Sequence, residues 1–84
     1  MEFNKVAEEL TDRIKKTMAS VFDIDQANIQ DDATPHLTTN WDSMNHIKLM
    51  VALEREFGIE IDELDATSMV SLKIIAATIA SKGD

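Results

Sequence analysis

Cysteine is absent from this 84-residue chain, so neither a disulfide framework nor a thiolate metal site holds the fold together. The apolar core has to suffice, and at this length it is small. Long hydrophobic runs are missing as well. No segment approaches the roughly 20 apolar residues of a membrane span, and the opening Met1-Glu2-Phe3-Asn4-Lys5-Val6 intersperses charges where a secretory signal would place its apolar stretch. The expectation is a single domain, monomeric, in the cytoplasm. Basic residues are few, eight against sixteen acidic ones, for a net charge of −8. That balance argues against nucleic acid, whose phosphates a binding protein must neutralise, and against anionic membrane surfaces. It suits a small protein recognised by basic patches on other proteins, or one whose charge serves solubility alone, and composition does not choose between the two.

What is present is helical periodicity. Phe3, Val6, Ala7, Leu10, Ile14, Met18 and Val21 recur at spacings of three and four with charges between them, which predicts an amphipathic helix from about Glu2 to Ser20. From Asp23 to Asn40 the period fails, and the only proline, Pro35, disfavours helix at Thr34. The expected connection is a roughly 18-residue ordered loop, longer than usual and therefore a candidate for function. Ile24, Ile29 and Leu37 are its expected anchors into the core. A second helix is predicted from Asp42 as N-cap to Phe57, with Gly58 as the left-handed residue that closes it. Ile59 and Ile61 should pack inward, Asp62 should cap a short helical turn through about Asp65, and Ser71 should cap a last helix that frays near Ser81-Lys82-Gly83. Leu72, Ile75, Ala76 and Ile79 form the stripe of that helix. The fold class is all-α: a small four-helix bundle, three helices longer and one short, with the long loop between the first two.

The second helix carries more apolar surface than one buried face needs. At about 100 degrees per residue, Leu49, Met50, Leu53 and Phe57 share one face, which is the expected core. Met44, Ile47 and Val51 make a second stripe on roughly the opposite side, with Lys48 and Arg55 along one edge and Glu54 along the other. Such a stripe is a candidate docking surface, unless the long loop folds over it. Ser43 sits beside it, in the first turn, where unpaired N–H groups and the helix dipole favour an anion on its oxygen.

Other chemistries fail on spacing. His36 and His46 have no third ligand at turn or helical spacing, so a zinc site is not expected; they read as a loop residue and a helix-surface residue, His46 with room to lean over the core near Ser43. The run from Asp23 has Asn28 and Thr34 where a calcium loop needs glycine and glutamate. A hydrolase triad on Ser43 lacks the Gly-x-Ser-x-Gly elbow and an evident oxyanion loop, and so small a bundle has little room for a substrate cleft. The chain is not expected to be an enzyme or to hold a metal.

Asp42-Ser43-Met44, followed by Ile47, Leu49, Val51-Ala52-Leu53-Glu54 and Glu56-Phe57-Gly58-Ile59, resembles the Asp-Ser-Leu motif and second helix of acyl carrier and peptidyl carrier proteins. The resemblance runs over nearly the whole chain. It implies that Ser43 bears a 4′-phosphopantetheine arm, transferred from coenzyme A by a phosphopantetheinyl transferase: Ser43 Oγ loses its proton and attacks the phosphate next to the pantetheine, the diphosphate bond of coenzyme A breaks, its nucleotide part leaves, and the arm stays attached through a phosphodiester. It also implies that Asp42 helps present the serine, and that Met44, Ile47, Lys48, Val51, Glu54 and Arg55 meet partner enzymes. The arm would hold acyl or aminoacyl thioesters, and its thiol would be the only thiol on the molecule. Lys48 and Arg55 stand where fatty-acid carriers are usually acidic, Trp41 replaces a small residue and Met44 a leucine, although Trp41 has a simpler reading as a loop anchor covering the core. These departures point away from the fatty-acid role and towards a free-standing carrier of a polyketide, peptide-synthetase-like or aminoacyl pathway, loaded by an adenylating ligase or acyltransferase. A fatty-acid carrier is the nearer alternative. An unmodified acidic adaptor is the further one, and it leaves the residues around Ser43 as coincidence.

Overall fold

The computed structural model describes residues 2–82, with the side chains of residues 2–7 outside the description. Four α-helices make up the chain among the described residues: α1 (Glu2–Phe22), α2 (Ser43–Phe57), the short α3 (Glu63–Ser68) and α4 (Leu72–Lys82). No strand occurs among them. The all-α reading with one short helix therefore holds.

Both long helices at the front of the bundle close in the same way. After α1, Asp23 takes a left-handed φ of 57° and Ile24 N–H donates to Ala19 O at 3.1 Å. After α2, Gly58 takes φ 64° and Ile59 N–H donates to Glu54 O at 3.2 Å. This six-to-one closure satisfies carbonyls that a helix end leaves unpaired, and it turns the next isoleucine back onto the core. Ile24 and Ile59 are indeed partly buried against it. Helix α1 runs two residues past the expected Ser20, and the residue that seals its end is Phe22, 1% exposed, rather than Val21. The expected contributions of Phe3, Val6 and Ala7, and the fraying at Gly83, lie outside the described residues.

The core draws on every element but α3. Ile14, Met18 and Phe22 of α1 meet Leu49, Met50 and Leu53 of α2 and Leu72, Ile75 and Ile79 of α4, with Met69 beneath them. Burial of this set supplies the main stabilisation that a chain without cross-links can have. Phe57, expected in the same face, is only half-buried: it packs at the core margin under the Arg13 guanidinium, 4.4 Å from the ring centroid.

The long loop is anchored differently from the sequence expectation. Ile24 and Ile29 pack inward as expected, but Leu37 does not; it is 55% exposed. Pro35 explains the change. With its fixed φ it sets up a turn in which Leu37 N–H donates to Thr34 O at 3.0 Å, and the side chain at the end of that turn is carried outward. Ala33 and Thr38 fill inward positions instead, and Trp41 is buried as the loop anchor that its size allows. Ala33 O also accepts from Leu72 N–H at 2.9 Å, tying the loop to the start of α4. The run from Asp23, rejected as a calcium loop, is a 3₁₀ turn over Gln26–Asn28 capped by the Asp25 side chain. Lys15 holds the loop from α1 through Asp31 at 2.6 Å, and this hydrogen bond keeps the Asp31 carboxyl below the usual carboxylate range.

Helix α3 starts on its expected cap, Asp62, which accepts from Asp65 N–H at 2.7 Å. It continues to Ser68, three residues beyond the expected end. Ser71 caps α4 as expected, its Oγ accepting from Ile74 N–H at 3.1 Å.

Candidate functional site

Asp42 and Asn40 build the start of α2. Asp42 is extended and its carboxylate accepts from Asn45 N–H at 2.9 Å, while its carbonyl accepts from His46 N–H at 2.8 Å. Asn40 takes a left-handed φ of 66°, a region that asparagine enters more readily than most other non-glycine residues. Its Nδ2 donates to Phe22 O at 2.8 Å, and its carbonyl accepts from Asn45 Nδ2 at the same distance. The end of α1 and the beginning of α2 are thereby pinned together.

Ser43 is the first residue of α2 and is exposed. The capping is done by Asp42, so the Ser43 hydroxyl is not needed for it. No acidic residue occupies the first turn of the helix, and the remaining N–H groups there favour a negative group on the serine oxygen. Met44, Ile47 and Val51 lie beside it, 65%, 64% and 45% exposed. The loop does not cover this stripe. Lys48 and Arg55 are exposed along its edge, where they face α1 across a groove. Glu54 is half-buried, and its carboxylate accepts from Ile61 N–H at 2.8 Å, so it also braces the segment after Gly58.

One residue of α2 goes beyond expectation. His46, read from the sequence as a helix-surface residue able to lean over the core near Ser43, is half-buried and joins three parts of the structure through bonds the sequence does not announce. Its Nδ1 lies 3.0 Å from Trp41 Nε1 and its Nε2 lies 2.8 Å from Ala66 O. An indole N–H only donates, so Nδ1 accepts, and the proton of the neutral ring sits on Nε2 facing the Ala66 carbonyl. Trp41, 4% exposed, also stacks on His46 and packs on Phe22 at 5.6 Å between ring centroids. The loop, α2 and α3 are thus clasped together through a residue one turn of α2 after Ser43. The signal in the sequence was an aromatic N–H donor five residues before a histidine, which is too common to read alone. Replacing His46 with Leu leaves the indole N–H and the Ala66 carbonyl without this partner. A loss of about 1–3 kcal/mol is expected in urea denaturation; unchanged stability would mean that water replaces the ring at both groups.

His36 is exposed and well separated in the chain from this clasp. No group of three or more His, Cys, Asp or Glu placed to hold a metal occurs among the described residues, and no described helix is long and apolar enough to cross a membrane. Neither of the two grooves along α1 is lined by Ser43.

A family model described as a phosphopantetheine attachment site matches residues 12–79. The chain belongs to the acyl carrier protein family. This carrier is 31% identical over 71 residues to the polyketide-8 synthase acyl carrier protein 2 of Streptomyces avermitilis, an alignment that covers 84% of this chain and 82% of that one. It is 27% identical over 74 residues to the acyl carrier protein of Thermosynechococcus vestitus, covering 88% and 91%. With the mitochondrial acyl carrier protein 2 of Arabidopsis thaliana it shares 29% over 73 residues, covering 87% of this chain and 58% of that one. The family's prosthetic group is 4′-phosphopantetheine, and its members are carriers rather than enzymes. The start of α2 fits such a group: an exposed hydroxyl, a helix end free of first-turn carboxylates, and an open apolar surface beside it. When attached, the group supplies a thiol on a flexible arm to which acyl or aminoacyl groups bind as thioesters.

Proposed function

We propose that Ser43 Oγ is the attachment point of the phosphopantetheine arm and that the chain carries acyl or aminoacyl groups for a specialised pathway, of polyketide, peptide-synthetase-like or aminoacyl type. The observation that carries this reading is the exposed Met44, Ile47, Val51 stripe directly after Ser43, edged by two cations. Asp42 fixes where the helix begins and so where the hydroxyl points. Carriers of this family meet a phosphopantetheinyl transferase and biosynthetic enzymes in turn. Here the stripe, with Lys48, Glu54 and Arg55 on its edges, is the surface those enzymes read. The polyketide name of the Streptomyces relative supports the specialised role. Our placement in the cytoplasm rests on the charge and the scarcity of apolar runs, and the mitochondrial name of the Arabidopsis relative belongs to that protein.

Lys48 and Arg55 set positive charge where basic patches on fatty-acid enzymes would approach, and like charge against like charge excludes a partner with little structural change. The expected result is slow acceptance of malonyl groups from a fatty-acid acyltransferase, at least about tenfold below a fatty-acid carrier assayed beside it. Efficient loading is expected from a dedicated adenylating ligase or acyltransferase. Malonyl acceptance as fast as that of the fatty-acid carrier would assign this chain to fatty-acid synthesis instead.

A further inference from the structure

The chain has eight Lys and Arg residues against sixteen carboxylates, yet four of the eight line one open groove between α1 and α2. They are Arg13 and Lys16 on α1 and Lys48 and Arg55 on α2. The one carboxylate in its lining is Glu56, and it is already held by Arg13 at 3.0 Å. Lys16 has a looser partner, Asp12 at 3.3 Å one turn back, with two-thirds of its side chain exposed. Lys48 and Arg55 pair with no carboxylate among the described residues. A local positive field is thus set into a strongly negative molecule. Between the cations the lining includes the apolar Val21, Ala52 and Val51, the last 45% exposed, together with the hydroxyl residues Thr17 and Ser20. Val51 also belongs to the stripe beside Ser43, so groove and stripe are one continuous surface.

Building on the carrier reading above, we infer that this groove docks an acidic helix of a partner protein. Charge complementarity selects the sign. Geometry selects the helix: Lys48 and Arg55 are seven residues apart, about 10.5 Å along α2, and carboxylates spaced by seven on an opposing helix repeat the same distance. An apolar residue between them then meets Val51 and Ala52, which is recognition of a helix by a groove with charged walls. An extended polyanion or an anionic membrane would fit less well. Either reaches beyond the groove to the acidic remainder of the surface, within the roughly 8 Å over which charges act at physiological salt. The direction is the reverse of an acidic carrier read by a basic partner. It assigns the partner's carboxylates to α1 and α2 together, not to α2 alone.

The test uses ¹⁵N-labelled protein and a synthetic amphipathic peptide of about five helical turns, with glutamates spaced by three, four and seven on one face and alanine and leucine between them. Amide shifts are expected at residues 13–21 and 48–56 and to diminish with added salt. The same peptide with lysines should leave those residues unmoved. Lys16→Glu, Lys48→Glu and Arg55→Glu together should weaken the acidic peptide at least about tenfold, and the milder Lys48→Gln with Arg55→Gln should fall between. All these side chains are exposed, and helicity of each variant is checked by circular dichroism. Shifts confined to Met44 and Ile47, equal binding by the charge-reversed protein, or groove shifts produced by phosphatidylglycerol vesicles but not by the peptide would each overturn the inference. Mass analysis after treatment with coenzyme A and a transferase separates the two proposals. A protein that gains the arm while the peptide leaves the groove unmoved refutes the docking helix alone, whereas failure to gain the arm refutes the carrier reading whatever the peptide does.

Discussion

Ser43→Ala is expected to abolish modification completely: incubation with coenzyme A and a broad-specificity transferase adds one phosphopantetheine mass to the wild type and none to the variant. The all-or-none size of the effect follows from where the other serines lie. Ser68 donates its hydroxyl to Leu64 O at 3.3 Å within α3, and Ser71 Oγ is engaged in capping α4 at 3.1 Å from Ile74 N. Ser20 and Ser81 sit near the C-terminal ends of α1 and α4, where the dipole is unfavourable to a phosphate. Ser43 alone combines an exposed hydroxyl with the positive end of a long helix. The variant should keep its helicity, because Asp42 still caps α2 and alanine is a good helix former. Intact mass spectrometry decides the matter, and modification persisting in Ser43→Ala at any other serine would remove the assignment.

The parts of this fold that could be read from the sequence are those in which a single residue type has a strong local reason to be where it is. Asp42, Asp62 and Ser71 announce helix starts because their side chains satisfy orphan N–H groups, and Gly58 announces an end because few other residues accept its φ. All four stand where expected. The same logic misjudged the end of α1, since there the left-handed position is filled by Asp23, an acceptable but less telling residue. The loop was harder still. Its inward residues, Ala33, Thr38 and Trp41, include one small and one polar side chain, so hydrophobicity favoured Leu37, and only the turn around Pro35 reveals that Leu37 points out. The clasp made by His46 was illegible for a related reason. It depends on α3 bringing the Ala66 carbonyl to within 2.8 Å of the ring, a contact 20 residues away that no local pattern encodes. Within the candidate site, the serine and its cap were legible and the exposure of the stripe was an open alternative. The cations of α1 that face Lys48 and Arg55 appeared only when the helices were packed.

Leu53→Ala should destabilise the protein by about 2–5 kcal/mol, a large share of the roughly 5–15 kcal/mol that holds a small domain folded. Leu53 is 0% exposed and belongs to the core that α2 shares with α1 and α4, so truncation removes buried methyl groups and leaves a cavity that rigid helices close poorly. Without disulfides to hold the chain while the core loosens, part of the population should unfold at room temperature. Ile47→Ala removes the same number of carbon atoms, but from a side chain that is 64% exposed, and its effect on stability should stay within about 0.5 kcal/mol. Val51→Ala should be similar, since the better helix propensity of alanine offsets lost contact. Phe57→Ala belongs between the groups: the ring is half-buried, and its removal also takes away the surface on which the Arg13 guanidinium rests, worth about 0.5–1 kcal/mol at such an exposed position. Chemical denaturation of the four variants orders them directly. If Ile47→Ala and Leu53→Ala lost equal stability, the Met44, Ile47, Val51 stripe would be part of the folding core, and the apolar surface beside Ser43 would no longer stand ready for a partner enzyme.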